Sequence, residues 1–69
     1  MRLSLNGAQI EIPQGGRLLD VLAAAGVEDL RGIAVAVDGE VLPRSDWAGS
    51  TVREGQQVEV VRAVQGGGG

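Results

Sequence analysis

Residues 3–12 read Leu3-Ser4-Leu5-Asn6-Gly7-Ala8-Gln9-Ile10-Glu11-Ile12. Leucine or isoleucine alternates with polar residues on both sides of Asn6-Gly7. A period of two makes each arm a strand with one apolar face. Asn and Gly both accept positive φ, so the pair predicts a type I′ turn and the stretch a β-hairpin. Leu3, Leu5, Ile10 and Ile12 then share a face. That face needs a cover, because an isolated two-stranded hairpin is marginal in water.

The following residues supply one. Pro13 has no N–H to donate and ends the second strand, and Gln14-Gly15-Gly16 forms a loop. Arg17 to Ala25 predicts a helix with Leu18, Val21, Leu22 and Ala25 on one stripe. Asp20 falls in the first turn, where negative charge meets the positive end of the helix dipole. Gly26 suits the left-handed position that ends a helix. The start is weaker, with Gly16 or Arg17 where Ser, Thr or Asp would cap. Val27 to Gly32 is a connection. Ile33, Val35 and Val37 then alternate with Ala34 and Ala36, and Asp38-Gly39 predicts a second tight turn. Glu40-Val41-Leu42 makes a short strand cut by Pro43. Arg44 to Ser50 reads as irregular and holds Trp47. Glu54-Gly55 signals a turn, and a last strand spans Val58 to Val64.

A hairpin, a helix, a second strand pair and a final strand predict an α+β fold. One helix packs across one face of a mixed sheet of four to five strands. The helix lies between two strand pairs, so the outer strands can pair in the middle. If the first and last strands are central neighbours they run parallel, and the chain then projects from the sheet. This layout is similar to the ubiquitin-like β-grasp. The expected organisation is a domain over residues 1–64 and a flexible glycine tail over 65–69.

Composition narrows the chemistry. The 69 residues fit one domain. There is no Cys and no His, which excludes a Cys/His zinc site and Ser-His or Cys-His catalysis. The net charge is −3, and the six basic residues, all arginine, are spread along the chain. No basic run tracks a phosphate backbone, so nucleic acid is not expected as a partner. No apolar stretch has membrane-spanning length, so no membrane is expected either. A cytoplasmic location is expected from these features and the missing cysteine. The absence of lysine would protect an activated acyl group from internal attack. A bias toward arginine is the simpler account.

Beyond the last strand lie Gln65, Gly66, Gly67, Gly68 and Gly69. Glycine can thread a cleft where any side chain would clash, and the terminal carboxylate becomes a candidate reactive group once another enzyme activates it. Three segments carry a resemblance. Gly32-Ile33-Ala34-Val35-Ala36-Val37-Asp38-Gly39-Glu40-Val41-Leu42-Pro43-Arg44-Ser45-Asp46-Trp47-Ala48 resembles the centre of the thiamine-biosynthesis sulfur carrier proteins. Glu54-Gly55-Gln56-Gln57-Val58-Glu59-Val60-Val61-Arg62-Ala63-Val64-Gln65-Gly66-Gly67 resembles their last strand and tail. Asn6-Gly7 and the Leu-rich helix fit their N-terminal half.

The resemblance implies a carrier and not an enzyme. A ubiquitin-activating-like adenylyltransferase would use ATP and magnesium to convert the terminal carboxylate into an acyl-adenylate. A persulfide sulfur donor would then leave a thiocarboxylate, and thiazole synthase would consume its sulfur. The carrier binds no cofactor itself. The sulfur-bearing residue is expected to be Gly69, with Gly66, Gly67 and Gly68 threading the partner's active site. The family usually ends at the pair that is here Gly66-Gly67, so the extra residues overshoot by about 7 Å at full extension. Gly67 is the carrier residue if they are trimmed.

Four residues are candidates for partner recognition. Trp47 reads first as a core plug and second as a docking anchor. Arg62 shares the register of Val58, Val60 and Val64, so the strand has left the sheet there or its face is exposed. It reads as a solvated charge or as a contact to an acidic surface or an ATP phosphate. Val61 and Ala63 point away from the helix, where exposed apolar side chains would mark a partner surface. Rival readings are a small subunit of molybdopterin synthase, a ubiquitin-like modifier and a non-covalent β-grasp interaction module.

Overall fold

The computed structural model describes residues 1–62. Its elements are β1 (Arg2–Leu5), β2 (Ala8–Glu11), α1 (Leu18–Ala24), β3 (Ile33–Val37), β4 (Glu40–Leu42), α2 (Arg44–Trp47) and β5 (Gln57–Arg62). The sheet order is β2-β1-β5-β3-β4. β1 and β5 are parallel, and every other pair is antiparallel. The first and last strands are thus central neighbours, as the helix between two strand pairs requires.

The two hairpins form where the turn chemistry puts them. Asn6 and Gly7 have φ of 50° and 86°, and Asp38 and Gly39 have 51° and 84°. Leu3 pairs with Ile10 in register, which sets their side chains on one face. Helix α1 covers that face. Leu18, Val21 and Leu22 are buried with Leu3, Ile12, Val35, Trp47, Val52 and Val58 in one core. Each fully buried Leu or Val contributes roughly 1.5–3 kcal/mol relative to exposure. Ala25, expected on the buried stripe, is exposed. It is the C-cap of α1, so the chain leaves the helical path there.

The helix ends in a Schellman motif. Gly26 has φ of 80°, its N–H reaches the Ala23 carbonyl at 3.0 Å, and the Val27 N–H reaches the Leu22 carbonyl at 3.0 Å. At the start, Arg17 is the N-cap. The Asp20 carboxylate accepts the Arg17 N–H at 2.8 Å, which is the reciprocal half of a capping box. Arginine has no acceptor for the orphan N–H groups of the first turn. Arg17→Thr is therefore expected to raise stability by about 0.5–1 kcal/mol in urea unfolding. A midpoint equal to or below the parent's would contradict this cap. The residue before it, Gly16, is buried, and a Cβ there would come within 2.6 Å of Ile12 Cδ1. A larger residue at this position would require the Ile12 side chain to shift.

Two features depart from the sequence reading. Arg44–Trp47 forms one turn of helix, α2, where an irregular segment was expected. Pro43 stands at its N-cap with φ −61°, and Ser50 N–H and Oγ close it on the carbonyls of Trp47 and Asp46 at 3.2 and 2.7 Å. Four residues are too few for a helical period to show. Distant clamps also fix the base of β5. Asp38 accepts the Gln57 N–H at 2.9 Å and a Gln56 side-chain N–H at 3.2 Å. These bonds tie the β3–β4 turn to the start of the last strand.

Candidate functional site

The site is the end of β5, from which the glycine-rich segment continues. Among the described residues every buried core residue lies at or before Val58. Beyond it the strand stays in the sheet, with Val60 opposite Val35, Val61 opposite Ala34 and Arg62 opposite Ile33. Arg62 is exposed while still paired to β3. Of the two explanations for a charge in that register, the exposed face is the one realised. Ile33 beside it is only partly buried, so the core thins out at this end and a guanidinium reaches water there.

The face turned away from α1 carries a short apolar strip. Ala34 lies opposite Val61, and Ala36 lies between Glu59 and Val41. Opposite residues in a ladder share a face, so Ala34, Ala36, Val41 and Val61 form one surface. Val41 is 69% and Val61 62% exposed, and they are the large exposed hydrophobics among the described residues. Val61 thus stands where the sequence placed it, on open sheet, and Val41 joins it across the sheet. The contribution of Val41 was not legible locally, because it depends on which strand pairs with which.

Arg62 also has company. Asp29 holds its carboxyl below the usual carboxylate range. The chief cause is the Arg31 side chain, whose Nε and Nη2 donate at 3.0 and 3.1 Å. The Arg31 backbone N–H contributes next, and Arg62 and Arg44 act on the carboxylate through space. Arg31 alone is bonded to this carboxylate, and Arg62 and Arg44 add positive charge at longer range. Sequence reading singled out Arg62 alone. The antiparallel register of β3 with β4, Val35 against Leu42, carries Arg44 to the same end.

Trp47 is a correction. It is 2% exposed, and its indole N–H donates to the Leu42 carbonyl at 2.9 Å. A docking anchor must offer its ring to a partner, and this ring is spent on the core between α2 and β4. Its first reading, as a core plug, describes it. Ala63, Gly66, Gly67, Gly68 and Gly69 lie outside the described residues, as does the boundary expected at residues 64 and 65. Among the described residues no Cys, His, Asp or Glu group is placed to hold a metal. No helix there is long and apolar enough to cross a membrane.

Fold and site together define a class: a β-grasp protein with a central last strand, an open apolar strip beside its end, and a glycine run continuing past it. The chain belongs to the ThiS family, whose model matches residues 3–67. Among solved structures it is similar to the crystal structure of the thiamine biosynthesis protein ThiS from Geobacter metallireducens. The identity is 29%, the TM-score 0.81, and the match covers 97% of this chain and all of that one. A solution structure of a thiamine biosynthesis protein from the same organism matches at 29% identity with a TM-score of 0.77, over 97% of this chain and 88% of that one. A comparison with curated proteins gives no match.

Proposed function

We propose that the chain is a sulfur carrier of thiamine biosynthesis that transports sulfur as a thiocarboxylate on its terminal glycine. The family match supports this reading, because it extends along β5 and takes in Gly66 and Gly67. An adenylyltransferase of the ubiquitin-activating type joins the carboxylate to AMP from ATP and magnesium. The persulfide's terminal sulfur displaces AMP to form an acyl disulfide, a second thiol reduces that S–S bond to leave the thiocarboxylate, and a thiazole synthase takes the sulfur onward. The carrier supplies no catalytic group. It holds one reactive end on residues that fit a narrow cleft and offers a body that two enzymes can grip.

The test is incubation with a ThiS-activating adenylyltransferase, ATP, magnesium and a sulfur source, read by intact mass. Exchange of one oxygen for sulfur adds about 16 Da. Fragment masses then locate the sulfur on Gly69, or on Gly67 after trimming. A chain that gains neither AMP nor sulfur refutes the reading.

The open strip is the proposed grip, and Arg62 and Arg44 form a basic margin at the end of the sheet where β5 finishes. Val61→Asp places a carboxylate in that strip without touching the core. It is expected to raise the KM for the carrier about tenfold, the scale of a modest interface residue. The urea midpoint should stay within about 0.5 kcal/mol of the parent's. An unchanged KM would remove Val61 from the interface. Arg62→Glu tests the basic margin in the same assay.

A further inference from the structure

β1 is too short to support the whole of β5. The two pair only at Ser4 with Gln57 and Leu5 with Val58. At Asn6 the chain turns away, with φ of 50°, while β5 runs on to Arg62. Along β5, alternate residues turn their backbone groups toward β1. The carbonyls of Gln56 and Val58 accept the N–H groups of Ser4 and Asn6, each at 2.9 Å. Val60 is the next in that series, and no residue of β1 is left to meet it.

The Asn6 side chain meets it instead. Its Oδ1 accepts the Val60 N–H at 2.8 Å, and its Nδ2 donates to the Val60 carbonyl at 3.2 Å. A carboxamide carries a donor and an acceptor in one plane, like a peptide group. It therefore extends the ladder by one residue without any further strand. Ionised Asp would lack the donor, and Ser or Thr lack the amide. The same position must also adopt left-handed backbone, which Asn tolerates better than most residues. Glycine would satisfy the turn and leave Val60 without this partner on its β1 side.

We infer that Asn6 is a positioning residue for tail delivery: its carboxamide stands in for the missing strand and fixes the root of the glycine tail. This rests on the sulfur-carrier reading. With the clamp, β5 is held on both edges as far as Val60, two residues before the end of the strand. Without it, β3 alone pairs with Glu59, Val60, Val61 and Arg62. The direction in which the chain leaves the sheet then varies, and fewer bound carriers present their carboxylate in line for adenylation.

Asn6→Gly keeps the turn and removes both bonds; Asn6→Asp keeps the acceptor and removes the donor. Amide hydrogen exchange by NMR should quicken at Val60 by about tenfold in Asn6→Gly, with Val21 and Leu22 unchanged. With the adenylyltransferase, kcat for ATP–pyrophosphate exchange should fall by about tenfold while KM stays within about twofold. Asn6→Asp should fall between parent and Asn6→Gly in both measurements, and it carries the test alone if Asn6→Gly does not fold. An unchanged Val60 exchange rate overturns the inference. So does an unchanged kcat with an active parent, and in that case the clamp falls while the carrier reading stands. An inactive parent overturns both.

Discussion

Deleting Gly66 to Gly69 is expected to lower sulfur loading by about a thousandfold or more, since the reacting carboxylate is then withdrawn from the partner's cleft. The same deletion should leave the urea midpoint where it was. Among the described residues the nine buried side chains run from Leu3 to Val58, and the deletion takes none of them away. The deletion therefore separates presentation from folding in one molecule. Thermal unfolding should show an intact body, and intact mass should show the loss of sulfur loading. A non-covalent interaction module would behave in the opposite way, binding its partner as before. If the truncated chain were adenylated at the parent's rate, the tail would have no part in the chemistry and the carrier reading would fail.

Trp47→Ala is the substitution with the largest expected effect on stability, about 3–5 kcal/mol. The indole is 2% exposed and fills the space between α2, β4 and the core. Its removal also leaves the Leu42 carbonyl, now at 2.9 Å from Nε1, without that donor. A domain of this size has a total stability of only about 3–10 kcal/mol, so the variant should be largely unfolded or close to it. Trp47→Phe keeps most of the apolar volume and loses the hydrogen bond, for a smaller cost of about 1–2 kcal/mol. Urea titrations followed by far-UV circular dichroism check both, since Trp47 is the only aromatic residue and its fluorescence vanishes with it. A Trp47→Ala cost below about 1 kcal/mol would mean that the indole does not fill the core.

Much of this architecture is legible locally. Asn6-Gly7 and Asp38-Gly39 announce hairpins because the residues that tolerate positive φ are few. Leu18, Val21 and Leu22 announce a helix face, and Gly26 its end. Strand order follows from connectivity once the helix is placed. What escapes is whatever depends on two distant segments meeting. Arg44 joins Arg62 only through the β3–β4 register, and Val41 joins Val61 only through β3. Asn6 reads as a turn former because its second task involves Val60, 54 residues away. Trp47 is ambiguous because burial of a lone aromatic depends on α2, a turn too short to leave a period. The site is less legible than the fold for the same reason. Its surfaces are assembled across strands, whereas the glycine run stands in plain view.

The parallel pairing of β1 with β5 has a consequence for the birth of the molecule. Ser4 finds its neighbour Gln57 only after nearly the whole body has been translated. Until then the nascent chain holds two separate ribbons that cannot stand alone, and such long-range closure is intrinsically slow. A polypeptide stalled on the ribosome before Gln57 therefore lacks the strand that joins the two ribbons and cannot close the sheet.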